Sequence, residues 1–106
     1  MKIVTLSENG HTIKLSLAGR LDMVGNQIFE MELPTLLSPE NQSVILDISE
    51  LEFIASIGLR SLVSKAKELA KNDRELILCN PKDLVKDILT TSGLNHIIKI
   101  LDTCEI

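Results

Sequence analysis

The spacing of apolar residues changes repeatedly along this chain, and each change marks a new element. Over 12–18, Ile13, Leu15 and Leu17 alternate with Thr12, Lys14 and Ser16, so this stretch and the similar run at 2–6 read as strands, the second with one buried face and one wetter face. Ser7-Glu8-Asn9-Gly10-His11 lies between them. An Asn-Gly pair between two strand-like runs predicts a hairpin, and Gly19 is expected to end its second strand. Beyond Asp22, a candidate helix cap, Ile28, Phe29, Leu33, Leu36 and Leu37 gather on one broad helical face. Pro34 sits inside that pattern and predicts a kink or an early stop, followed by a turn at 39–42.

From Val44 to Ile48 the apolar run is nearly continuous, as in a strand covered on both faces. Leu59, Leu62, Val63, Ala66 and Ala70 then recur at helical spacing, which predicts a helix over 57–72. Its polar side carries Arg60, Lys65, Lys67, Glu68 and Lys71, and Ser61 and Ser64 read as part of the same solvated face. A second covered strand is expected at 75–79. Asn80-Pro81 reads as cap plus first helical residue, with Leu84, Val85, Ile88 and Leu89 turned to the core and Gly93 as the left-handed residue that closes the helix. A last strand at 97–101 and a tail at 102–106 complete the chain. Strands alternating with helices imply crossovers and parallel pairing after an antiparallel hairpin. The expected fold is α/β: a mixed sheet packed with helices, as one domain over 1–106.

Composition narrows the function. With 44% hydrophobic residues but only 2% aromatic ones, the core must be built from Leu, Ile and Val. A net charge of −4 gives no electrostatic footprint for nucleic acid, and so few aromatics leave no stacking platform for single strands. No apolar run approaches membrane-spanning length, and Met1-Lys2-Ile3-Val4 leads straight into strand-like sequence, so no membrane partner and a soluble, cytoplasmic protein are expected. Cys79 and Cys104 lack a metal-ligand spacing and read as reduced thiols, Cys79 as a small core residue.

The chemistry centres on Ser56, at the junction between the central strand and its helix. A serine there serves either as a cap or as a phosphate acceptor, because the free N–H groups and positive dipole end of a first helical turn stabilise negative charge, and Gly58 adds little bulk. A hydrolase elbow would need Gly-x-Ser-x-Gly, whereas the chain has Ile54-Ala55-Ser56-Ile57-Gly58. The only histidines, His11 and His96, are not placed near Ser56 by the pattern. There is no Gly-rich phosphate loop and no carboxylate-histidine cluster of metal spacing. The expectation is a protein that is not an enzyme and carries no cofactor or metal.

Asp47-Ile48-Ser49 and Phe53-Ile54-Ala55-Ser56-Ile57-Gly58-Leu59, with Gly19-Arg20-Leu21-Asp22 and Ser92-Gly93-Leu94, resemble the STAS family, the domain of anti-sigma factor antagonists. The resemblance covers nearly the whole chain. It implies a STAS-like mixed sheet, and it implies that Ser56, two residues before the glycine, is phosphorylated by a partner kinase, with Asp22 in the partner-facing site. The implied contact set is Asp22, Ile54, Ala55, Ser56, Ile57, Gly58 and Arg60. The implied partners are an anti-sigma factor with ATP-dependent serine-kinase activity and a PP2C-type phosphatase that restores the unmodified form. The family's best-known form has an aspartate before the serine and a serine or threonine after it, where this chain has Ala55 and Ile57. The alternative is therefore a non-switching STAS scaffold of a signalling or transport assembly, in which Ser56 only caps its helix.

Overall fold

A computed structural model describes residues 1–37 and 42–104. The elements run β1 (Lys2–Glu8), β2 (Thr12–Leu21), α1 (Met23–Leu36), β3 (Ser43–Ile54), α2 (Ser56–Ala70), β4 (Leu76–Cys79), α3 (Asp83–Thr91), a short 3-10 turn Leu94–His96 and β5 (Lys99–Leu101). The five strands lie in sequence order, β1 antiparallel to β2 and all later neighbours parallel. The mixed α/β sheet expected from the sequence is therefore present. At the hairpin, the Asn9 side-chain oxygen accepts from the N–H groups of His11 and Thr12 at 2.8 Å each, which is how an Asx residue replaces missing ladder bonds in a turn.

Sequential strand order settles where the core sits. Each crossover advances across the sheet in the same direction and with the same hand, so every helix falls on the same face. Ile13, Leu15, Leu17, Val44, Leu46, Ile48, Leu76 and Leu78 meet Phe29, Leu33, Leu62, Val85 and Leu89 there in one buried cluster. The opposite face holds a small cluster of Ile45, Ile77 and Cys79, against which Leu101 and Cys104 pack. The central strand is thus covered by helices on one face only, not on both as its apolar run implied.

Several boundaries differ from the sequence pattern. β2 does not stop at Gly19 but passes through it with φ +108° as an irregularity in pairing, and reaches Leu21. β3 does not stop near Ile48 but continues to Ile54, because Glu50 and Glu52 point outward while Leu51 and Ile54 stay buried. α1 runs two residues beyond Pro34, and Leu37 lies outside it as C-cap. Asn80 is not a helix cap but a left-handed residue at φ 59° whose N–H bonds to the Leu101 carbonyl. α3 starts only at Asp83, so Val85 and Leu89 turn inward and Leu84 is exposed. Gly93 is left-handed at φ 80° as expected. Of the turn expected at 39–42, residues 39–41 fall outside the described residues, and Gln42 is buried, donating from Nε2 to the Asn9 carbonyl at 3.1 Å.

The reduced-thiol reading of the cysteines is overturned. Cys79 and Cys104 form a disulfide with Cα atoms 5.2 Å apart. The pairing arises because β4 and β5 are neighbours, Cys79 standing opposite Leu101, and the chain after β5 turns back over the helix-free face of the sheet.

Candidate functional site

β2 and β3 end side by side, Leu21 opposite Ile54, and each hands the chain to a helix. The Ala55 N–H donates to the Leu21 carbonyl at 3.0 Å, so the N-cap of α1 and the N-cap of α2 are neighbours.

Asp22 caps α1, its Oδ1 accepting from the Gly25 N–H at 2.9 Å. That bond holds the Asp22 carboxyl below the ordinary aspartate range; desolvation works against it and the nearby Arg20 charge adds to it. Asp22 Oδ2 lies 3.5 Å from Arg20 Nε, and the Arg20 guanidinium sits 4.7 Å from the centroid of the Phe53 ring, a cation–π distance. Gly58 packs on the same junction. A Cβ there would stand 2.7 Å from both the Leu21 carbonyl oxygen and its Cγ, so only a bare backbone lets α2 begin this close to β2.

Ser56 is not the cap of its helix. Because β3 runs to Ile54, the cap position falls to Ala55, which is extended (φ −85°, ψ 169°) and supplies no side-chain hydrogen bond. Ser56 is the first residue of α2, exposed to solvent, and among the described residues its hydroxyl has no partner. The uncapped start makes a measurable claim. Ala55→Ser supplies the missing acceptor without new charge beside Asp22 and is expected to stabilise the fold by about 1 kcal/mol, raising Tm by roughly 4–8 °C. A melting temperature equal to the parent's in calorimetry would contradict the uncapped geometry.

The residues picked out from sequence divide into surface and support. Ser56 and Arg60 are exposed, and Asp22, Ala55 and Ile57 are half-buried. Ile54 and Gly58 are buried and position the others instead of offering surface. Ser61, expected on a solvated face, is instead 8% exposed and donates its hydroxyl to Glu30 Oε1 across the α1–α2 contact at 2.5 Å. An open groove beside Ser56 is lined by Leu59, Arg60, Val63, Leu94 and Ile97. His11 and His96 do not line it. Sequence reasoning passed over Met23 and Val24, which stand 68% and 66% exposed in the first turn of α1, directly after Asp22. The available signal was their spacing, which leaves them off the face defined by Phe29 and Leu33.

Known proteins resemble this chain in family and in fold. The STAS domain model matches residues 4–105. Over 89 residues the chain is 30% identical to BtrV of Bordetella bronchiseptica, a candidate anti-sigma factor antagonist, the match covering 84% of this chain and 77% of BtrV. It is 22% identical over 69 residues to the anti-sigma-F factor antagonist RsfB of Mycobacterium tuberculosis, covering 65% of this chain and 57% of RsfB. Among solved structures, a candidate anti-sigma factor antagonist of Thermotoga maritima superposes with a TM-score of 0.83 at 22% identity, over 94% of this chain and 86% of that one. The anti-sigma factor antagonist SpoIIAA, in its unphosphorylated form, gives 0.74 at 20% identity, over 93% and 87%. At those identities the superpositions speak for the fold.

Proposed function

Because the chain belongs to the STAS domain family, we propose that it is an anti-sigma factor antagonist: a binding module that engages an anti-sigma factor with serine-kinase activity and is switched off by phosphorylation of Ser56. The observation that carries this reading is the exposed, unpartnered Ser56 hydroxyl at the first position of α2, beside Asp22. In the step itself the γ-phosphoryl of ATP passes to Ser56 Oγ, a P–O bond to ADP breaks, and the hydroxyl proton is released. A PP2C-type phosphatase reverses it by hydrolysis. The chain acts as substrate and binding partner, not as an enzyme, and works in the cytoplasm where such partners act.

Charge gives the switch its direction. Phosphoserine carries about −1.5 to −2 charges at neutral pH, which a helix N-terminus accommodates, so the fold persists. A partner seated over Asp22, Met23, Val24 and Ser56 instead meets a strongly hydrated anion in its contact. Ser56→Asp should lower affinity for the anti-sigma partner more than tenfold, about 1.4 kcal/mol, with far-UV circular dichroism unchanged. Incubation with ATP and the serine kinases of the same genome, followed by mass spectrometry, should place phosphate on Ser56 and lose it in Ser56→Ala. Phosphate found only on Ser49, Ser61 or Ser64 would sink the assignment.

Ala55 and Ile57 support a second reading, a STAS scaffold with no phosphorylation switch. A protein that binds its partner yet takes no phosphate from any co-encoded kinase would establish it.

A further inference from the structure

We infer that Arg60 receives the Ser56 phosphate, closing an ion pair across one turn of α2; this rests on the reading of Ser56 as the acceptor. Ser56 and Arg60 are four residues apart on one helix and line the same groove. Residues at that separation face each other, and an anion placed N-terminal to a cation is the favoured order. Both side chains are exposed, and among the described residues Arg60 forms no ion pair or hydrogen bond.

The neighbouring charges are already committed or lie elsewhere. Arg20, on the β2 side of the junction, is engaged by Asp22 and Phe53. Lys65, further along α2, pairs with Glu68 at 3.2 Å. On the α3 side, Lys86 pairs with Asp102 at 2.7 Å, and Asp87 lines the adjoining groove with Leu59. Arg60 is the charged residue of the groove that holds Ser56, and its guanidinium can meet a phosphate bidentately.

The pair changes what phosphorylation does to the surface. Unmodified, the groove offers a free cation among Leu59, Val63, Leu94 and Ile97 to a partner carboxylate. Phosphorylated, the guanidinium is turned onto the chain's own phosphate. The partner then loses an attractive charge as well as meeting a repulsive one.

The test uses the full chain with phosphoserine genetically encoded at position 56, so that no kinase is needed. The midpoint of the second phosphate ionisation, followed by the 31P resonance at low salt, should lie about half a unit lower in the parent than in Arg60→Gln, a roughly threefold change in proton affinity. Arg60→Lys should retain most of the difference, and added salt should shrink it. Equal midpoints in the parent and Arg60→Gln would overturn the inference. A thermal double-mutant cycle on Ser56→Glu and Arg60→Gln gives an independent measure, in which strict additivity would likewise reject the pair. Failure of kinases to modify Ser56 would reject the acceptor reading alone, whereas equal midpoints reject the role of Arg60 alone.

Discussion

Gly25→Ala is expected to destabilise the domain by about 3 kcal/mol or more, although alanine is the better helix former by roughly 1 kcal/mol. The clash decides the sign. A Cβ on Gly25 would lie 1.8 Å from the Arg20 carbonyl oxygen and 3.0 Å from its carbonyl carbon, which are backbone atoms and cannot rotate away. Relief requires α1 to move off the end of β2, and that end also carries the Leu21 carbonyl that holds Ala55. Gly58→Ala belongs to the same class but should cost less, because its closest approach is 2.7 Å instead of 1.8 Å. Urea unfolding of the three proteins checks both the size and the order. A Gly25→Ala protein as stable as the parent would mean that α1 does not start against β2 as described.

The glycines show why some of the site was readable in the sequence and some was not. Asp22 was legible as a cap because its chemistry is local: one carboxyl bonds an N–H three residues on. Gly93 and the Asn9 turn were legible for the same reason. Gly25 carries no such signal, since its necessity comes from a strand end that the helix happens to approach. The start of α2 was misplaced by one residue because Glu50 and Glu52 interrupt the apolar run, yet they alternate with Leu51 and Phe53 in a strand that continues. That single shift moves the cap from Ser56 to Ala55 and leaves the serine hydroxyl without the hydrogen bond that a cap would make. Asn80 and Leu84 were misjudged together, because a left-handed Asn80 delays α3 to Asp83 and rotates Leu84 outward. The cysteine pairing was invisible for a different reason. It depends on β4 and β5 being neighbours and on a tail crossing the bare face of the sheet, neither of which is written in residue spacing.

Opening that disulfide is expected to lower stability by about 3.5 kcal/mol on the chain-entropy account, given the separation of 25 residues between the cysteines. Cys79 is fully buried, and with Ile45 and Ile77 it forms the small cluster on the helix-free face. Cys104 covers that cluster, held also by Lys14 Nζ donating to its carbonyl at 2.9 Å. Without the bridge, that hydrogen bond, the exposed Lys86–Asp102 ion pair and a little apolar contact keep the tail in place. Urea midpoints of the parent should fall on adding dithiothreitol, Cys104→Ser should match the reduced parent, and reductant should then change nothing further. Two titratable thiols in the unreduced, denatured parent would show that the bridge does not form. Wherever thiols are kept reduced the bridge opens, and the protein there sits at the lower stability. The Ser56 surface is built at the ends of β2 and β3 from separate residues, and partner affinity should therefore be the same in Cys104→Ser as in the oxidised parent.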